Sequence, residues 1–269
     1  AIESNDELDL VVFLGEFFER VPGDLGLLWN IPTDIDPLLR FIGEDVAWST
    51  IGPIWRMSAF KRIGGWDETI VMGDDQELHT RALMAGAKYE FIHQVDYAIR
   101  RAADGEVQLG HQFSTRDGIL SQVKRVENLC EDLVHLDRSK RIVAKKLMAG
   151  SLLLRCVQML DFHNDKEASL EIWQIVRDHR LIALSTYLLG LLWIKKYKSF
   201  WGDIAAYLIN HLESDDFLLK NRALLATTPT SCLEEEPYDG RFHKQDSFVS
   251  SGLVRKGLLG YMLEKLRLK

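Results

Sequence analysis

Apolar residues cluster densely near the start of this chain and recur every three or four positions after about residue 116. Leu8 to Phe18, LDLVVFLGEFF, is short and rich in Val, Leu and Phe, which predicts a buried strand. Pro22-Gly23-Asp24 marks a turn. Leu38 to Ile42 predicts a short helix, and Trp48 to Arg56, broken by Gly52-Pro53, includes an extended piece. Ser58 to Ile63 reads as a helical turn ended by Gly64-Gly65, and Asp74 to Ala85 as a helix ended by Gly86. Lys88–Ile92 and Tyr97–Arg101 read as two short strands flanking a loop.

From Arg116 the rhythm is helical. Ile119, Val123, Val126, Leu129, Leu133 and Leu136 line one face of an amphipathic helix. Further helices are expected at Ser139–Phe162, Asp165–His179, Leu181–Lys196, Trp201–Leu212 and Asp216–Ala226, joined by short polar links. Leu181 to Ile194 is strongly apolar for 14 residues, short of the roughly 20 a membrane span needs. It reads as a buried helix in preference to one lying at a membrane interface. The expected layout is therefore α/β over 1–115, a helical array over 116–226, a polar linker over 227–250 and a basic amphipathic helix over 251–269.

Composition adds limits. Hydrophobic residues make up 46% and charged residues 27%, ordinary for a globular protein. A net charge of -7 gives a nucleic-acid partner no support. The three cysteines, Cys130, Cys156 and Cys232, are far apart and form no Cys-x-x-Cys pair. Free thiols in a reducing, cytoplasmic compartment are expected. The opening AIESNDELDL is acidic, lacks the layout of a signal peptide and has no initiator Met, which reads as a cut N-terminus.

Chemistry concentrates between Trp55 and Arg81. Asp74 and Glu77 have capping-box spacing, and Glu77 and Arg81 are four apart on one helix face. Asp75 would sit in the first turn, where acids favour the helix dipole. Gly64-Gly65 offers positive φ or a helix C-cap, and Trp66 offers either a flat face for a sugar ring or a core side chain. Adjacent Asp74 and Asp75 cannot flank one glycosidic bond from opposite sides, which disfavours a glycoside hydrolase. His79 and His93 have no partner pattern and read as structural.

Taken as one string, Arg56, Gly64-Gly65-Trp66-Asp67-Glu68, Asp74-Asp75-Gln76-Glu77-Leu78-His79-Thr80-Arg81, Gly86 and Tyr97 to Arg100 resemble the acceptor-side signature of family-two glycosyltransferases. The likeness covers about residues 1–115, with Asp for Glu at 74 and Trp for Phe at 66. It implies a partial GT-A fold, similar to nucleotide-diphospho-sugar transferases. It implies Asp75 as general base, with Gly64, Gly65, Trp66, Asp67 and Asp74 around the acceptor. The partners it implies are a nucleotide-sugar donor and a carbohydrate or other hydroxyl acceptor. The family holds a divalent cation, Mn or Mg, through an Asp-x-Asp motif upstream of the segment matched by Leu8 to Phe18. Asp6 and Asp9 lack that spacing, so the cation's main ligands and the nucleotide half are expected outside this sequence, and the chain is expected to be inactive alone. Arg100 is a candidate for phosphate contact or a solvated strand end, and His111 for the metal or diphosphate or a surface loop.

The other reading is a helical module that docks a partner or membrane. Ser251 to Lys269 holds five basic residues against one acidic, with Leu253, Leu258, Leu259, Met262, Leu263 and Leu266 able to form a face. That pattern fits an anionic membrane surface, peripheral at the inner face, or a terminal helix packed on the array.

Overall fold

The computed structural model describes residues 2–29, 31–33, 35–101, 109–212 and 228–229; for 109–111, 207, 210–212 and 228–229 only the backbone is described. The expected helix at 216–226, most of the linker and the basic tail helix lie outside the described residues.

The elements run β1 (Leu10–Phe18), β2 (Leu27–Trp29), α1 (Pro37–Ile42), β3 (Pro53–Trp55), α2 (Met57–Arg62), α3 (Asp74–Met84) and β4 (Tyr89–Arg100). They continue with α4 (Arg116–Asp132), α5 (Arg138–His163), α6 (Lys166–Asp178), α7 (Leu184–Lys195), α8 (Phe200–Leu212) and β5 (Thr228–Pro229). A mixed sheet followed by helices matches the expected α/β-then-helical layout.

The run that predicted a buried strand is the centre of the sheet. Leu10, Val11, Val12 and Leu14 are buried. β4 pairs with β1 in parallel along its length, while β3 and β2 pair antiparallel with its first and last thirds. β5 adds to β2. The two strands expected at Lys88–Ile92 and Tyr97–Arg101 are one strand. Its register against β1 shifts on either side of Leu14, so the polar residues His93, Gln94 and Asp96 are absorbed as a bulge instead of a loop. Tyr97 crosses Gly15 so closely that a Cβ there would sit 2.3 Å from its ring.

The helical rhythm is borne out. Every residue of the stripe from Ile119 to Leu136 is buried. Thr115, Asp137 and Asp165 start α4, α5 and α6 by accepting backbone N–H groups at 2.9–3.1 Å. The helical core also takes in Leu38 and Ile42 of α1, so the helices pack directly on the first part of the chain. Cys130 and Cys156 are free and buried, and burial pushes the Cys130 thiol up to about 12.

The run over Leu181–Ile194 differs from expectation. Thr186, Tyr187, Gly190 and Ile194 are buried, but Leu184, Leu188 and Leu192 are exposed. Gly190 lets the Trp173 ring lie against the α7 backbone, where a Cβ would come within 2.2 Å. The opposite side is left to solvent. No helix among the described residues is long and apolar enough to cross a membrane.

Beneath the sheet-to-helix junction lies a buried ionic cluster. Glu44, at φ 63 just after α1, accepts from Arg125 of α4, from Arg155 of α5 at 2.6 Å and from the Ser151 hydroxyl at 2.5 Å. All four residues are almost fully buried. Removing the carboxylate leaves two guanidiniums without their counter-charge. Glu44→Ala should therefore cost about 3–5 kcal/mol in urea unfolding. Lys88→Ala, which breaks an exposed pair with Glu7, should cost less than about 1 kcal/mol.

Candidate functional site

The segment from α2 to α3 is built by backbone geometry first. α2 ends in a double-bonded C-cap: Gly64 N–H donates to Lys61 C=O at 3.1 Å and Gly65 N–H to Phe60 C=O at 3.0 Å. Both glycines have positive φ, 92° and 67°. The C-cap reading of the Gly-Gly pair is thus satisfied, and the pair still turns the chain toward α3.

Arg81 then ties the turn to the helix. Its Nε and Nη2 fork onto Glu77 at 2.7 and 2.9 Å, Nη2 also donates to Gly65 C=O at 2.7 Å, and Nη1 donates to Ile63 C=O. The expected Glu77–Arg81 pair is present. The expected capping box is not. Gly73, in the left-handed region at φ 80, is the N-cap and makes no side-chain cap, so Asp74 is the first helical residue. Glu77 turns to Arg81 instead of reaching back. Gly73 lies on the Arg125 side chain, where a Cβ would be 3.3 Å from Nε. The approach to α3 is held by Ser121 of α4, whose hydroxyl accepts from Val71 and Met72 N–H at 2.9 and 3.0 Å.

Asp75 sits at the rim of this assembly, partly exposed. Its Oδ2 accepts from the Thr50 hydroxyl at 2.6 Å and its Oδ1 from Gln76 N–H at 2.7 Å. Burial, and next the charge of Asp75, pushes the Asp74 carboxyl above the usual carboxylate range. Asp67 accepts from the Thr69 hydroxyl at 2.6 Å and its N–H at 2.9 Å, which shapes the local turn and holds its carboxyl low. Trp66 is 42% exposed and meets Phe60 edge-on. Arg56 clasps the N-terminal segment, donating to the carbonyls of Leu8, Ile2 and Asn5.

The structure thus brings Gly64, Gly65, Trp66, Asp67, Asp74 and Asp75 onto one turn and the helix it meets. Arg100 is elsewhere, the exposed last residue of β4 opposite Phe18. The backbone of His111 lies in the 3-10 turn Leu109–Ser114, and its side chain lies outside the described residues. Among the described residues no group of three or more His, Cys, Asp and Glu is placed to hold a metal ion. These residues do not by themselves fit the cation the resemblance implies.

Sequence reasoning missed Thr50, which carried no motif and is 25 residues from Asp75. His79, read as structural, is buried. One turn below Asp75 on α3, its ring is 1% exposed and stacks flat on Trp55 at 5.9 Å, with Phe41 and Trp48 at 5.3 and 5.6 Å. Neither ring nitrogen finds a hydrogen-bond partner among the described residues. Burial pushes its pKa down to about 4, outweighing the opposite pull of Asp75.

Comparison with protein-family models, with curated proteins and with solved structures returns no match to this chain.

His79 makes a pH prediction. Its folded pKa lies below its unfolded value of 6.5, so the unfolded chain binds the proton more readily. Stability is complete above pH 6.5 and falls as pH drops toward 4, by about 3 kcal/mol in all. The raised pKa of Asp74 acts in the opposite sense, which is why two proteins must be compared. His79→Phe should keep the aromatic box and lose this component. Urea unfolding across that window should show the wild-type penalty growing relative to the variant; parallel curves would refute it.

Proposed function

We propose that this chain carries the acceptor side of an inverting glycosyltransferase. The observation that supports the reading most is the joining of two motifs by Arg81. The Gly64-Gly65 turn and the acidic start of α3 form one rim, with half-exposed Trp66 and hydrogen-bonded Asp75 on it.

In this reading Trp66 offers its flat face to an acceptor sugar ring. Asp75 takes the proton of an acceptor hydroxyl as that oxygen bonds to the anomeric carbon. The bond from that carbon to the nucleoside diphosphate breaks on the opposite face, giving inversion. A carboxylate suits the role because it must be ionised when the acceptor arrives. Thr50 fixes one of its oxygens and Gln76 N–H the other. Asp74 lies directly beside it, its carboxyl raised above the usual range by burial and next by the charge of Asp75. The nucleotide-binding half, which the resemblance places before the matched segment, is part of the same proposal.

The test uses the longest chain its gene encodes, a panel of UDP-, GDP- and dTDP-sugars, and release of nucleoside diphosphate as the readout. Asp75→Asn should lower turnover by at least about 100-fold, with nucleotide-sugar binding by calorimetry nearly unchanged. Unaltered turnover would remove Asp75 as the base. The 269-residue chain alone should release nothing above the blank.

A further inference from the structure

The exposed side of α7 is an apolar stripe that the proposed sugar transfer does not use. Leu184, Leu188 and Leu192 are 66%, 52% and 38% exposed. Their i, i+4, i+8 spacing places them within an arc of about 80° on one helix face. A lone exposed leucine is ordinary, but a continuous row on one helix is a mark of an interaction surface. Lys195 falls inside the same arc, three residues past Leu192, and Lys196 follows; both are exposed. Trp201, at the start of α8, which packs on α7, is 61% exposed.

Charge decides what the stripe fits. The whole chain has a net charge of -7. Yet between Arg180 and Trp201 the basic residues are Arg180, Lys195, Lys196 and Lys198, and there is no acidic residue. Lys198 is spent on Asp161 at 2.7 Å. The rest stand at the two ends of the leucine row in sequence, Arg180 before Leu184 and Lys195 and Lys196 after Leu192, with Asp203 of α8 the first acidic residue beyond them.

The basic tail 251–269 would bring like charge against them. A second copy would too: parallel α7 helices set the lysines together, and antiparallel ones set Lys195 and Lys196 against the partner's end near Arg180. An anionic surface with an apolar layer beneath it matches both components. Leucine and tryptophan enter the acyl boundary while lysines stay at the headgroups. We propose that the Leu184–Leu188–Leu192 face of α7, with Lys195, Lys196 and Trp201 at its border, docks this protein on an anionic lipid surface.

The test is co-sedimentation of the full chain with vesicles of phosphatidylcholine alone and of phosphatidylcholine mixed with phosphatidylglycerol. Binding is expected only to the mixed vesicles and should weaken with added salt. Leu184→Gln/Leu188→Gln/Leu192→Gln should reduce it at least tenfold, with an unchanged melting temperature because these side chains are exposed. Lys195→Glu/Lys196→Glu, which leaves the apolar packing untouched, should also reduce it at least tenfold. Wild-type binding in both variants would overturn the proposal, as would no wild-type binding to the mixed vesicles. Loss on Leu258→Gln/Leu259→Gln/Leu263→Gln with retention in the α7 variants would overturn it in favour of the tail. Self-association in sedimentation velocity that the leucine variant abolishes, without lipid binding, would overturn it in favour of a second copy.

Discussion

Glu44 holds the two parts of this molecule in register. A single carboxylate accepts from two guanidiniums on two different helices and from a hydroxyl, all out of solvent. Taking three charges out of water is costly, and such a cluster persists only where hydrogen bonds complete it. Here Arg125 also has Nε and Nη1 without an acceptor among the described residues. The cluster is therefore an inefficient way to gain stability. What it supplies is geometry: the loop after α1, α4 and α5 converge on one point. Gly73, the cap of α3, rests on the Arg125 side chain. Glu44 orients Arg125, and Arg125 underlies the helix start that carries Asp74 and Asp75.

Much of this was legible where contacts are local. Strand β1, the extent of α3, the stripe of α4 and the limits of α5 to α8 followed from period and turn residues. What escaped involves partners distant in sequence or a choice between two local patterns. Glu44 is 81 residues from Arg125 and 111 from Arg155, and nothing near any of them signals the others. Asp74-x-x-Glu77 fits a capping box, but Glu77 also lies one turn before Arg81. A fork onto a guanidinium already anchored by Ile63 and Gly65 carbonyls prevailed. β4 looked like two strands because its middle is polar, and only the parallel partner reveals a bulge. α7 is apolar all round, so its period could not say which face packs. Gly190 decided that by admitting Trp173.

The candidate site has two layers with different chemistry. The rim is polar and wet: Asp75 with Thr50, Asp67 with Thr69, and Trp66 half exposed. Beneath it His79 is buried in an aromatic box of Phe41, Trp48 and Trp55, with Tyr89 and Phe91 packed on Trp48. An imidazole with neither nitrogen bonded is an expensive lining for that box, while a phenyl ring would carry no unsatisfied polar group. The neutral ring it is forced to be adds no positive charge below Asp75.

Composition changes near Arg116, but packing does not part there. Leu38 and Ile42 of α1 belong to the helical core, Ser121 of α4 bonds the approach to α3, and Arg125 of α4 supports its cap. A perturbation of α4 or α5 should therefore reach the Asp75 rim through direct contacts. The leucine face of α7 stands apart from this route, since it points to solvent while the opposite face of the helix packs on α5, α6 and α8. An attachment made through that face engages none of the residues that fix α3. The α7 leucine face and the Asp75 rim thus rest on different elements of one packed chain, and substitutions on the α7 face should leave the rim geometry as it is.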